Sequence, residues 1–316
     1  MSQDRGQDLG HRLVAAIDEG LGTEPGFRAA HARGLCCDAT FTPTPEVAAM
    51  STAPHLQAPV PAVVRFSGAS PRPDAPDHRQ DVGGMAVKFL LGDGRETDIV
   101  AISIPLFFVR EPEHFIEFTL ARKADPKTGR PSMARLLRYA LRHPEAFRAI
   151  GHAARHQGSV MASRLEARYF AIHAFRWRAP GGAETLVRYE LEPEAGEREI
   201  PRAEAKARGR DFLRDDLVER LSGRPAGFRL VVQVAEPGDR TDDPTRAWPR
   251  GRRRVNVGRL EVTGVSPDQD AGCEQRVFDP THLIEGVELS DDRILAARRE
   301  AYSVSIERRF AERAQR

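Results

Sequence analysis

Cysteine is scarce in this chain, with three among 316 residues: Cys36, Cys37 and Cys273. Three thiols cannot build a disulfide framework, and the adjacent pair has neither redox CxxC spacing nor metal-ligand spacing. The expectation is buried or incidental thiols in a reducing compartment. Long apolar runs are missing too. The best candidate, 99–109, is broken by Ser103 and Pro105, so no membrane span is expected. The first ten residues are polar and lack the layout of a secretory signal, which points to the cytoplasm. Charge of one sign is also missing: Lys+Arg 48 against Asp+Glu 46 leaves +2. Such a balance gives no overall field toward nucleic acid or anionic lipid. HExxH, GxSxG, a GxGxxG after a strand and a Walker loop are all absent, which removes zinc-hydrolase, serine-hydrolase, dinucleotide and P-loop chemistry.

What is present suffices for a packed core, with 40% hydrophobic residues and 7% aromatics. Residues 8–22 carry one apolar helical stripe that stops at Gly22 and Pro25. Strand-like runs follow at 61–68 and 83–103, the second turning at Asp93-Gly94. Helical patterns cover 111–124 and 132–156, the latter broken at Pro144. A hairpin over 167–196 turns at Pro180 to Gly182, a charged helix spans 202–222, and strands return at 228–236 and 254–265. From Ser290 an Asp-rich start leads into an arginine-rich helix. Strands that come in hairpins predict a mainly antiparallel sheet in the α+β class. No composition shift marks a boundary, so one domain is expected over 1–316, with 1–26 as helix and lead-in and 27–316 as core.

The last helix is the most informative segment. At 100° per residue Arg298, Tyr302, Ser305 and Arg309 share one narrow face. A guanidinium one turn before a tyrosine favours the phenolate, a hard oxygen ligand suited to ferric iron. A half-exposed tyrosine on a solvated helix has the same spacing. His31 beside Arg28, His173 in a strand, and Ser67 carry little information singly. The basic turn at 250–254 reads as a solvated loop.

Taken in order, the segments converge. Arg28-x-x-His31 with Gly34, the run Val64-Arg65-Phe66-Ser67, Met85 through Phe89, Pro105 through Phe108, Phe278 through Thr281, and Arg298-x-x-x-Tyr302 with Arg309 resemble the haem catalase superfamily. The likeness is greatest to its short members, the catalase-related peroxidases, and runs from about Phe27 to Arg309. It implies a catalase-like antiparallel β-barrel with surrounding helices and a C-terminal helix bearing the haem ligand. It implies haem b as cofactor and Tyr302 as proximal iron ligand, tyrosine ligation being the catalase pattern. Arg298 would keep Tyr302 ionised, with Asp292 holding that arginine and His173 as its other neighbour. His31 matches the distal histidine, Ser67 its hydrogen-bond partner, and Phe115 the aromatic over the haem. Arg28, Arg65 and Arg309 match the guanidinium groups that hold the propionates.

Two departures stand out. Ser103 occupies the position of the distal asparagine of true catalases and offers one short hydroxyl in place of an amide. The chain also ends 14 residues after Tyr302, without the C-terminal region and long N-terminal arm of full-length catalases, so a more open haem is expected. The expected activity is therefore peroxidase: hydrogen peroxide or an alkyl hydroperoxide is reduced by an external small-molecule donor, with weak catalase activity. No nucleic acid is expected as partner, and a homodimer is the expected assembly. Alternatives are a small true catalase or a fatty-acid hydroperoxide lyase or isomerase resembling the allene oxide synthases. A non-catalytic haem-binding or peroxide-sensing protein would have no need of His31 with Ser67.

Overall fold

Eight strands alternate inward and outward residues and pair in chain order around the sheet. In the computed structural model they are β1 (Gly34–Pro43), β2 (Val60–Gly68), β3 (Gly83–Leu90), β4 (Glu96–Ile102), β5 (Tyr169–Arg178), β6 (Glu184–Pro193), β7 (Ala226–Val234) and β8 (Arg254–Val265). Each is antiparallel to the next, and β8 pairs back to β1 with Phe41 opposite Leu260, which closes the barrel. β4 meets β5 only where Ile102 lies opposite Phe170, so the rest of that edge of β5 is open to a further strand. A short strand, Val287–Leu289, adds to β5, and Ser159–Met161 pairs with Glu199–Pro201. The structure describes all residues except 1, 80–81, 156–157 and 316, and omits the side chains of 2–7, 150 and 152–155 as well.

The barrel is filled by its inward residues. Phe41, Phe66, Phe89, Trp177, Tyr189, Phe228 and Leu230 form one contiguous core, each aromatic worth about 2–3 kcal/mol in burial. The buried Trp177 Nε1 donates to Tyr189 Oη at 2.7 Å, so its one polar atom is paired. On β2 the period of two sends Val64 and Phe66 inward and therefore Arg65 and Ser67 outward. That outer face is covered as well, because helices and loops pack over it.

The helices are α1 (Ser2–Leu21), α2 (Pro112–Ala121), α3 (Met133–Arg142), α4 (Ala146–Arg155), α5 (Arg202–Ala207), α6 (Phe212–Gly223) and α7 (Arg293–Ala314). α7 packs on α1 and α2. The expected α+β class and antiparallel sheet are what the structure has. The single charged helix over 202–222 is instead two, because Gly209 takes a φ of 115° that no L-residue adopts readily. β1 went unread in the sequence. The expectation of three thiols is corrected: Cys36 and Cys273 form a disulfide with their Cα atoms 5.6 Å apart, while Cys37 is free and buried. The partners lie 237 residues apart in sequence, and barrel closure juxtaposes them. Their segments are stitched further by Gln269, which accepts from Cys36 N at 3.0 Å and donates to Cys36 O at 2.9 Å.

Candidate active site

Outside the barrel, between the outer faces of β2 to β4 and α7, lies a cavity of about 910 Å³ counting its mouth. His31, Ser67 and Arg65 line one side and Arg298, Tyr302, Ser305 and Arg309 the other. The four residues predicted to share one helical face do share it.

The α7 side begins at the helix cap. Asp292 Oδ1 accepts from the N–H groups of Ile294 (2.8 Å) and Leu295 (3.2 Å), satisfying two orphan donors of the first turn. Its Oδ2 lies 2.7 Å from His173 Nδ1. His173 Nε2 lies 3.2 Å from Arg298 Nη1, and Arg298 Nη2 donates to Tyr302 Oη at 2.6 Å. Asp292 and His173 are each 1% exposed. Burial, first, outweighs Asp292 and holds the imidazole below its usual pKa. A neutral ring that donates from Nδ1 and accepts at Nε2 fits both neighbours. One expectation is corrected here. Asp292 does not hold Arg298 directly; it holds His173, which holds Arg298.

Across the cavity, His31 is the one non-glycine residue with positive φ, 54°, among the described residues. Such a conformation costs about 1–3 kcal/mol and persists only when its surroundings fix it. Its carbonyl accepts from Arg65 Nη1 at 3.1 Å, and its Nδ1 lies 3.0 Å from Ser67 Oγ. Gly84 makes the room: a Cβ there would lie 2.6 Å from both His31 Nδ1 and Ser67 Oγ. Burial, then the positive charge of Arg65 and Arg298, pushes the imidazole down to about 3. His31 is therefore a neutral base at ordinary pH, with Nε2 left for the cavity once Ser67 engages Nδ1.

The third group is basic. Arg28 pairs with Glu274 and donates to the carbonyls of Cys273 (3.0 Å) and Arg276 (2.8 Å). Arg65 Nη2 lies 3.2 Å from the other oxygen of Glu274. Arg309, 3% exposed, keeps Nε and Nη2 without an acceptor, and Arg65 Nε is likewise buried and unpaired. Three guanidinium groups face one carboxylate, which leaves two positive charges and three buried donors in want of acceptors. A dicarboxylate supplies what they lack. The residues thus fit a planar, iron-bearing group with two acidic side chains, presented with a phenolic oxygen on one side and an imidazole on the other.

Two predicted residues stand aside. Ser103 does not line the cavity; its Oγ accepts from Gly83 N at 2.9 Å. Phe115 also lies off the lining, stacked on Phe107 at 6.3 Å between ring centroids and tilted against Phe108. Sequence reasoning missed Glu274, whose bond to two of the arginines depends on the disulfide-anchored segment. It also missed Arg164, which donates to the Ser67 carbonyl at 2.6 Å. Neither sits in a recognisable spacing.

Barrel, tyrosine-bearing helix and facing histidine define a haem-type oxidoreductase acting on peroxide. A family model described as Catalase matches residues 26–316. The chain belongs to the catalase family. It is 38% identical to a catalase-related peroxidase of Mycolicibacterium paratuberculosis over 94% of both chains. It is 32% identical to one from Synechococcus elongatus, over 94% of this chain and 88% of that one. A solved fungal catalase superposes with a TM-score of 0.82 at 22% identity, over 90% of this chain and 60% of that one. A bacterial catalase gives 0.81 at 26% identity. The chain thus spans about 60% of the length of these larger catalases and nearly the full length of the shorter relatives. No helix among the described residues is long and apolar enough to cross a membrane.

Proposed function

We propose that the chain is a haem b peroxidase, a single haem-binding domain that reduces hydrogen peroxide or an organic hydroperoxide at the expense of an external small-molecule donor. The observation that carries this reading is the pairing of a strained, neutral His31 with Ser67 across the cavity from the Asp292–His173–Arg298–Tyr302 chain. Bound haem would supply an iron centre that takes two electrons' worth of oxidation from peroxide and is returned by the donor. The balance is ROOH + 2e⁻ + 2H⁺ → ROH + H₂O.

Tyr302 would hold the iron through its phenolic oxygen, to which Arg298 donates directly. His173 and Asp292 fix Arg298 in turn. Arg28, Arg65 and Arg309 would hold the two propionates. His31 Nε2 takes the proton from one peroxide oxygen and delivers it to the other as the O–O bond breaks, the task of a neutral base with one free nitrogen. Ser67 fixes its tautomer. A carboxylate-rich or purely structural histidine site would need neither the strain at His31 nor the unpaired donors of Arg309.

The test is an absorption spectrum of the purified protein, followed by oxygen evolution and donor oxidation on the same sample after peroxide is added. A high-spin ferric Soret band with donor oxidation outpacing oxygen release is the expected result. Vigorous oxygen release would make the protein a small catalase, and failure to take up haem on reconstitution would overturn the reading.

A further inference from the structure

A second cluster of ligating side chains lies away from the haem-type cavity, on α2 and the turn between α3 and α4. None of its members lines that cavity. Pro144 cannot continue α3, so the chain turns there, with His143 and Glu145 on either side of it. His114 sits in the first turns of α2, and Glu117 follows three residues later on the same face. We propose that His114, His143 and Glu145 form a site for a divalent transition metal of the zinc type, oriented by Glu117.

The geometry is that of a three-ligand site. One ligand atom from each of His114, His143 and Glu145 lies within 4.8 Å of the others. Glu145 Oε1 is 3.0 Å from His114 Nδ1 and 3.8 Å from His143 Nδ1, and the two imidazole rings are 4.0 Å apart at their centroids. On its far side His143 Nε2 lies 2.9 Å from Glu117 Oε2. With Nε2 held by Glu117, His143 turns its other ring nitrogen, Nδ1, toward Glu145, and the 3.8 Å between them leaves room for a cation. This is the carboxylate–histidine–metal arrangement, in which an outer carboxylate sets the tautomer of the ligating ring.

Burial supports the same reading. The side chains of His143, Glu145 and His114 are 10%, 18% and 28% exposed, enclosed enough for ligation yet open on one side. The buried Tyr139 hydroxyl has no hydrogen-bond partner, and its ring lies 4.5 Å from that of His143. Two imidazoles with one carboxylate suit borderline ions, whereas calcium and magnesium ask for oxygen ligands. Bonds of about 2.0–2.1 Å to a tetrahedral ion set ligand atoms about 3.3–3.4 Å apart, so Glu145 Oε1 and His114 Nδ1, hydrogen-bonded at 3.0 Å, would separate slightly while His143 Nδ1 closes in. The ion would clamp α2, which carries Phe115 and Phe118, to the α3–α4 turn.

The experiment uses tag-free holoenzyme, dialysed against a chelator and then titrated with Zn²⁺ by equilibrium dialysis and elemental analysis. Wild type is expected to bind one Zn²⁺ per chain that His114→Ala and Glu145→Gln no longer bind. Glu117→Gln should weaken it about 10–100-fold. A thousandfold excess of Mg²⁺ or Ca²⁺ should not displace it. The conservative Glu145→Gln variant is expected to keep the wild-type Soret band and circular dichroism. Chelation should lower the Tm of wild type but not that of this variant. Equal Zn²⁺ uptake by wild type, His114→Ala and Glu145→Gln, or displacement by Ca²⁺, overturns the assignment.

Discussion

At the scale of single residues, the site works by fixing protonation states through burial. His31 is pushed down to about 3, so it remains a free base through the whole neutral range. Peroxide cleavage should therefore be flat from about pH 5 to 8, where an ordinary histidine of pKa about 6.5 would lose its base form on the acid side. Rapid-mixing rates across that range check this, and a fall centred near 6.5 would show that His31 titrates normally. His31→Ala should keep haem and slow cleavage by about 10²–10⁴, the usual worth of a positioned general base. Tyr302→Ala should lose haem or its ferric-phenolate spectrum; a normal spectrum in that variant would remove Tyr302 from the iron. Ser103 accepts from the Gly83 N–H and so ties the end of β4 to the start of β3.

At the scale of elements, α7 ties stability to chemistry through one carboxylate. Asp292 caps the helix with one oxygen and anchors His173 with the other. Two substitutions separate these roles. Asp292→Asn keeps the cap oxygen but sets an amide N–H against the Nδ1–H of His173, so it should lose that buried bond, about 1–3 kcal/mol, and shift the haem spectrum. Asp292→Ala should cost about 1 kcal/mol of cap in addition, read as a lower urea midpoint. Equal stability of the two variants would mean that the cap contributes nothing. This helix was legible in the sequence because its face repeats at helical spacing and its tyrosine, arginines and cap all lie within eighteen residues. β1 was not, because Cys36, Cys37 and Asp38 interrupt its alternation and its burial comes from β8, more than two hundred residues away. The disulfide and Glu274 were hidden for the same reason: local spacing carries no information about a contact created by barrel closure. Arg28, Arg65 and Arg309 were legible only through the family pattern, and their shared want of two negative charges appears only in three dimensions.

At the scale of the whole molecule, the buried histidines set a limit on acid stability. His31 and His55 are both pushed down to about 3, by burial first in each case, and His173 is lowered for the same reason. His55 lies inside the barrel against Phe89 at 4.7 Å, far from the chemistry, with Nδ1 unpaired. A histidine whose folded pKa is depressed is neutral in the native state and takes up its proton on unfolding. Its stabilising effect is complete above about pH 6.5, the unfolded value, and is lost as pH falls toward the folded value. Each such group costs about 1.4 kcal/mol per pH unit in that window, so His31 and His55 together cost about 3, with His173 adding in the same direction. Against a typical total of about 5–15 kcal/mol, a slope of about 3 kcal/mol per pH unit removes much of the fold's stability before the folded pKa near 3 is reached. Urea melts followed by the fluorescence of the buried Trp177 and Trp248 should show stability falling steeply between pH 6 and 4. His55→Leu, which removes one of these protons without touching the cavity, should lower that slope by about 1.4 kcal/mol per pH unit and move the acid midpoint downward. An unchanged slope in the variant would mean that His55 finds a partner for its charge in the native barrel, and the acid limit would then belong to the residues of the site alone.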